Sequence, residues 1–377
     1  MHRFPVWWTG DGVPLLGSVE SMVDSGVHGF KTYVHSDCGG DYHPGGWCPA
    51  GGWCPTNEGG DLLRWTAHCA FGTILRYHGA DHRPWQYGDA VTDTIRSYLT
   101  TRYKLAPSLV AAGQHAARTG FPFVTRGDLV WPEHAVNTTA GSSSSSQYIF
   151  LNDTLVAPIW DSKNNATTRA VWVPPGDWED AWDGSTVSGP KTIQATQPYE
   201  KQPMWHKKAG GLTVMTDKPG LRINEGNWST LTLEAFPGMG ATPTTTERTV
   251  YALQTEARTE LSMATEGVSG QKQQQVHFEI STATDAAPRA WVVRVHLEPG
   301  QRMVAAVESV IHGGEEAVLL DLVKAVVHLA PLSAEETARS HFPFGGTGVH
   351  PPVHAGHIAE LRLASAAHAR TLSVTIA

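Results

Sequence analysis

The sequence predicts an α/β part followed by one or two all-β domains of sandwich type. Three observations carry this. Helical periodicity marks residues 61–119, a polar Ser-rich link occupies 137–147, and short alternating strands punctuated by Pro-Gly and Asp-Gly turns follow it. In chain order, FKTYVHSD (30–37) is a β-branched and aromatic run ending in polar residues, as a buried strand entering a loop does. DLLRWTAHCAFGTILRYH (61–78) places Leu62, Leu63, Ala67, Ala70, Phe71, Ile74 and Leu75 at helical spacing, which makes Arg76 and His78 helix-end residues. A second helical stretch spans 89–119, interrupted at Pro107, and FPFVTRGDLVWP (121–132) is another strand candidate. Beyond the link come TLVAPIW, RAVWVPPGDWEDAWDG and GGLTVM, then TLTLEAF, QQVHFEIST, RAWVVRVHLEPG, HIAELRLAS and TLSVTIA. These divide the chain into 1–150, a proximal β domain at 151–216 and a distal β-sandwich at 217–377.

Composition narrows the function. The 377 residues leave room for two or three domains, and 41% hydrophobic with 17% charged residues is ordinary globular composition. A net charge of −8 recommends neither nucleic acid nor an anionic membrane as partner. No apolar run approaches the ~18–20 residues of a membrane helix. Fourteen tryptophans are a heavy load. Many fill cores, but with Asp, His and Gly they are also what sugar clefts use, because flat rings stack on pyranose C–H faces while carboxylates accept from hydroxyls. Cys38, Cys48, Cys54 and Cys69 fall in one short region, and both a disulfide and free thiols stay open. Four N-x-[ST] sequons, at Asn137, Asn152, Asn165 and Asn227, suit a secreted protein, whereas the opening MHRFPVWWTGD carries no signal-peptide pattern. Localisation stays open.

Chemistry-bearing residues gather at predicted element ends: Asp11, Asp37, Arg76, His78, Arg126 and Asp128. Carboxylates at the C-terminal ends of strands fit the active face of a (β/α)8 barrel. The matching chemistry is glycoside cleavage, in which one carboxyl protonates the leaving oxygen and another meets the oxocarbenium-like centre. Asp11 in WWTGDG reads first as a turn residue. The flanking tryptophans also suit a proton donor, since apolar surroundings raise a carboxyl pKa. Arg76 and His78 can donate to sugar hydroxyls. His78 and His82 in HGADH, and His35 with His43 in HSDCGGDYH, are weak metal candidates, because glycine between the ligands denies them a rigid helix. No G-x-S-x-G elbow or G-x-G-x-x-G loop occurs, so no cofactor and no metal is expected.

Several segments together resemble glycoside hydrolase family 31, the α-glucosidases and α-xylosidases. WTGD (8–11) is similar to the family's acid/base segment. HSDCGGD (35–41) is similar to its D-x-G-G-F strand end, with Asp41 at the aromatic position. LLRWTAHCAFGTILRYHG (62–79) resembles its R-W…A-F…R-x-H stretch, with Gly72–Thr73 where a proline is usual. IRSYLTTRYKLAPSL, GFPFVTRGDLVWPEH, QYIFLNDTLVAPI and VWVPPGDWEDAWDGSTVSGP follow in family order, so the resemblance covers roughly 3–216.

The resemblance implies a retaining mechanism on an oligosaccharide or α-glycoside. Asp11 would be the acid/base, Trp8 would line the pocket, and Asp37, Arg76 and His78 would hold sugar hydroxyls, while Arg64 is structural. It also implies an incomplete (β/α)8 TIM barrel holding the last strands, six to eight, because the family's W-x-D-[MF]-[NG]-E nucleophile segment does not occur in these residues. The expected partner is then the N-terminal half of the same enzyme, with the chain alone inactive. Two rival expectations stand beside this: a non-catalytic carbohydrate-binding pseudoenzyme, and an inverting glycosidase using Asp11 with Asp37.

Overall fold

The structure is a computed structural model that describes residues 6–10, 13–28, 33–35, 37–39, 59–78, 83–134, 146–160, 166–222, 225–238, 244–251, 257–267, 274–282, 289–297, 303–312, 315–321, 357–366 and 370–376. They fall into two compact units, one holding residues up to 102 and 112–206, the other holding 103–111 and the described residues from 207 onward.

The first unit begins with βα repeats. β1 (Val6–Trp8) and β2 (Tyr33–His35) pair in parallel, Trp8 opposite His35, with α1 (Leu15–His28) as the crossover between them. The backbone continues past β2 to Cys38, which bridges in parallel to Tyr77. Cys38 N donates to Arg76 O at 2.8 Å and His78 N to Cys38 O at 3.0 Å. The described residues therefore hold three parallel strand segments in chain order, as the end of a (β/α)8 barrel does.

Here the structure corrects the helical expectation for 61–78. α2 (Gly60–Ala70) stops at Ala70, a short turn follows at Phe71–Thr73, and Arg76–His78 is extended. Phe71 is the C-cap, and carbonyls of the last helical turn and of the turn after it are taken by Arg102 of α3 (Asp89–Lys104). The Arg102 guanidinium donates to Ala70 O at 2.9 Å, Gly72 O at 2.8 Å, Thr73 O at 2.9 Å and, more weakly, Cys69 O. The stretch at 89–119 divides at Leu105 into α3 and α4 (Ala106–Thr119), with Pro107 in the first turn of α4, where its missing N–H is harmless.

α2 is the keystone of this unit. Arg64, 1% exposed, donates to Lys201 O and Gln197 O at 2.9 Å each and lies over the Tyr199 ring. His68 sits within reach of Ser18 Oγ of α1 (3.1 Å) and of Tyr148 Oη (3.3 Å). Complete burial pushes the His68 imidazole down to about 3. His68 therefore stays neutral in the fold, while the unfolded chain takes up a proton below about 6.5. Stability from this group is full above that pH and is lost as pH falls toward 3. Between pH 7 and 5, about 2 kcal/mol of the wild-type loss is expected from His68, and His68→Gln is expected to flatten that part of a urea-denaturation pH profile.

Strands β3 (Val124–Thr125), β4 (Tyr148–Phe150), β5 (Thr154–Val156), β6 (Thr168–Asp180), β7 (Thr186–Thr196) and β8 (Met204–Lys207) form one sheet in the order β3-β4-β5-β8-β6-β7. Its core holds Ile149, Leu155, Val171, Val173, Trp178 and Trp205. Hydrogen bonding crosses the boundary expected at 150, because β3 and β4 pair into the same sheet as β5. The strand expected over 121–132 is short, giving way after Thr125 to a turn of helix, α5 (Gly127–Val130).

The second unit is a sandwich. β9 (Gly211–Met215), β10 (Thr230–Phe236), β14 (Arg289–Leu297) and β17 (His357–Ala366) make one sheet. β11 (Thr244–Tyr251), β12 (Arg258–Gly267), β13 (Gln274–Thr282), β15 (Met303–His312), β16 (Glu315–Asp321) and β18 (Arg370–Ile376) make the other. Leu231, Leu233, Val293, Val295 and Leu361 share one core with Met263, Val276, Phe278, Leu372 and Val374. The alternating burial along β12 is the period-2 signature of a sheet with one face inward. β9 pairs antiparallel with β10, so hydrogen bonding also crosses the boundary expected at 216.

Candidate functional site

The ends of the three parallel segments carry the site. β2 runs out at His35, and two residues on comes Asp37, 2% exposed. Arg76 Nη1 donates to Asp37 Oδ1 at 2.7 Å, and His78 Nδ1 lies 2.6 Å from Asp37 Oδ2. One buried carboxylate therefore holds two cationic or donor groups, one on each oxygen.

The strand period explains why those three meet. Arg76 and His78 are two apart, so on an extended backbone both face Asp37, whereas on a helix they would diverge. Tyr77 between them turns the other way, to the Thr66 hydroxyl of α2 at 2.7 Å, and burial pushes its phenol up to about 12. The Cys38 side chain also turns toward α2, where it is joined to Cys69 by a disulfide with Cα atoms 6.4 Å apart. Cys48 and Cys54 lie outside the described residues.

Exposure divides the roles. The Arg76 side chain is 54% exposed and that of His78 17%, against 2% for Asp37. A ligand approaching from solvent meets Arg76 first, with Asp37 behind it as the anchor. An ion pair this open contributes little stability by itself, so the arrangement serves orientation.

His35 is the group that sequence reasoning did not place here. Its Nε2 lies 3.3 Å from Arg76 Nη1, and its Nδ1 is 3.6 Å from Asp37 Oδ1. The available signal was the i, i+2 spacing of His35 and Asp37 at a predicted strand end. Trp8, 45% exposed, stands opposite His35 with ring centroids 6.4 Å apart and planes tilted by 38°. Four of the five expected site residues, Trp8, Asp37, Arg76 and His78, thus lie at the C-terminal ends of adjacent strand segments. Asp11 lies outside the described residues, three positions beyond the end of β1.

Arg126 and Asp128 do not join this cluster. Arg126 Nε and Nη2 donate to the two Asp128 oxygens at 2.6 Å, and Nη1 to Asp24 Oδ1 at 2.6 Å, tying the segment after β3 to α1. The hydrogen bonds to Asp128 lead in pushing the Arg126 guanidinium up.

Residues 1–112 match the model of the glycosyl hydrolases family 31 TIM-barrel domain, and residues 129–211 that of the glycosyl hydrolase family 31 C-terminal domain. An isomaltosyltransferase from Sporosarcina globispora is 26% identical over 216 residues, 54% of this chain and 18% of that protein. Alpha-glucosidase 2 from Bacillus thermoamyloliquefaciens is 25% identical over 223 residues, 57% of this chain and 26% of that protein. This chain thus spans about a fifth to a quarter of the length of these relatives. A cycloalternan-forming enzyme from Listeria monocytogenes, solved with a pentasaccharide substrate, superimposes with a TM-score of 0.67 at 19% identity, covering 98% of this chain and 32% of that one. At that identity the likeness is one of fold.

Proposed function

Since the chain belongs to glycosyl hydrolase family 31, we propose that it carries the acid/base half of a retaining α-glycosidase site acting on α-glucosides or α-xylosides. The observation that supports this most is the Asp37–Arg76–His78 cluster at the ends of parallel strands, where barrel enzymes place their chemistry. Arg76 and His78 bind hydroxyls of the sugar whose bond is cleaved, and Asp37 fixes both. Trp8 offers a half-exposed ring face at the rim. Asp11 protonates the glycosidic oxygen as the bond breaks, then removes a proton from the water that releases the sugar.

The nucleophile in this reading is a carboxylate from polypeptide outside the present sequence, about 5–5.5 Å from Asp11 as retention demands. The inverting alternative assigns Asp37 the task of activating water. A carboxylate engaged on both oxygens and 2% exposed is poorly placed for that, which favours the retaining reading.

The sugar-binding half of the proposal is open to direct test. Calorimetric titration of the chain with 1-deoxynojirimycin, a cationic glucose mimic, is expected to give saturable binding. Arg76→Ala is expected to weaken it at least tenfold, and an unchanged affinity in that variant would remove Arg76 from the site.

A further inference from the structure

We infer that the Cys38–Cys69 disulfide is a positioning element of the sugar site, acting through the backbone of Cys38 on Asp37, Arg76 and His78. The inference rests on the reading of those three residues as a glycone-binding cluster. Cys38 follows Asp37 directly, and alternation sends their side chains to opposite sides of the strand. Asp37 takes the site side, meeting Arg76 at 2.7 Å and His78 at 2.6 Å. Cys38 takes the helix side and is covalently bound to the last turn of α2.

The backbone of the same residue makes two of the hydrogen bonds that join the strand segments among the described residues. Its N–H donates to Arg76 O, and its carbonyl accepts from His78 N–H. One residue therefore fixes the position of the carboxylate and the spacing of both its partners. The other described contacts with α2 near the site are non-covalent. Tyr77 shares a hydrogen bond with the Thr66 hydroxyl and packs on the cluster that holds Leu62 and Leu63 of α2, and Val34 N donates to Thr73 Oγ1 at 3.0 Å in the turn after the helix. Both cysteines are buried, at 0% and 3% exposure, so the bond stays closed unless the helix end opens locally. A role in holding geometry fits that burial better than a freely reversible switch.

The reduced state supplies the test. A trialkylphosphine such as TCEP cleaves the S–S bond, leaving two cysteine thiols and taking oxygen from water as phosphine oxide; thiol alkylation read by mass spectrometry counts the product. Two measurements then follow on the full chain. In hydrogen exchange, reduction is expected to speed the amides of Cys38 and His78 at least tenfold while those of β6 and β7 keep their rates. In calorimetry, the affinity for 1-deoxynojirimycin is expected to fall at least tenfold and to return when oxidised glutathione restores the bond. The double variant Cys38→Ala/Cys69→Ala is expected to reproduce the reduced state with a cooperative melt. A uniform acceleration of all amides would reassign the bond to general stability, and no change at Cys38 and His78 would overturn the inference outright. If the oxidised chain binds no imino sugar, the functional reading fails, and the exchange measurement alone decides the positioning role.

Discussion

Arg102→Met is expected to lower the unfolding free energy of the first unit by about 3 kcal/mol. Methionine keeps most of the stem volume and removes every donor. The carbonyls of Ala70, Gly72 and Thr73 then lose their only named partner across the turn that ends α2, and Cys69 O loses its weaker one. Each bare carbonyl in a part-buried turn costs about 1–3 kcal/mol, reduced where water can enter. Arg102→Lys should recover only a fraction, because an ammonium cannot reproduce a planar fork reaching four acceptors. Urea unfolding of the two variants beside wild type checks this. Equal midpoints for wild type and Arg102→Met would show that water replaces the guanidinium without loss. The same turn leads directly into Arg76–His78, so weaker imino-sugar binding should accompany the lost stability.

Asp37→Ala is expected to reduce affinity for 1-deoxynojirimycin by about 10–100-fold, corresponding to one charge-assisted contact of about 1.5–3 kcal/mol. The effect arises chiefly through the partners. Without the carboxylate, Arg76, whose side chain is 54% exposed, is free to swing into solvent, and His78 loses its contact at Nδ1. Asp37→Asn should fall between, since an amide oxygen still accepts from Arg76 but its NH2 group cannot accept from His78. Calorimetry across the three proteins gives the order wild type, Asn, Ala. Wild-type affinity in the Ala variant would exclude Asp37 from the site. Stability should change little by comparison, because an ion pair with so exposed a partner is screened by solvent.

The sequence was most informative where periodicity was long. The helical stretch at 89–119 and the alternating strands of the distal sandwich are visible because each repeats its period over many residues. It was least informative between Phe71 and His78. Ile74 and Leu75 continue the helical spacing of α2, and nothing local announces that the helix ends at Ala70 and that the chain then bridges to Cys38. The packing that decides this, Arg102 on the turn and Cys38 beside Tyr77, comes from residues about 30–40 positions away. The same distance hid His35 and the disulfide. Four cysteines allow three full pairings, and sequence spacing does not choose among them. Arg126 and Asp128 were grouped with the other strand-end residues by position alone, and the fold pairs them with each other and with Asp24 of α1, away from the Asp37 cluster. Trp8, Asp37, Arg76 and His78 were proposed from short motifs in family order, which constrain position more tightly than hydrophobic pattern does, and the structure brings Asp37, Arg76 and His78 into contact.

The central claim is that this chain holds the acid/base and sugar-binding groups of a retaining α-glycosidase while the nucleophile belongs to other polypeptide. It is tested most directly by assaying the pure chain on p-nitrophenyl α-glucoside and α-xyloside beside its Asp11→Asn variant. Release of p-nitrophenol at the uncatalysed rate is expected from both proteins. Turnover by the wild-type chain that Asp11→Asn abolishes would contradict it, because the chain would then contain a complete catalytic pair.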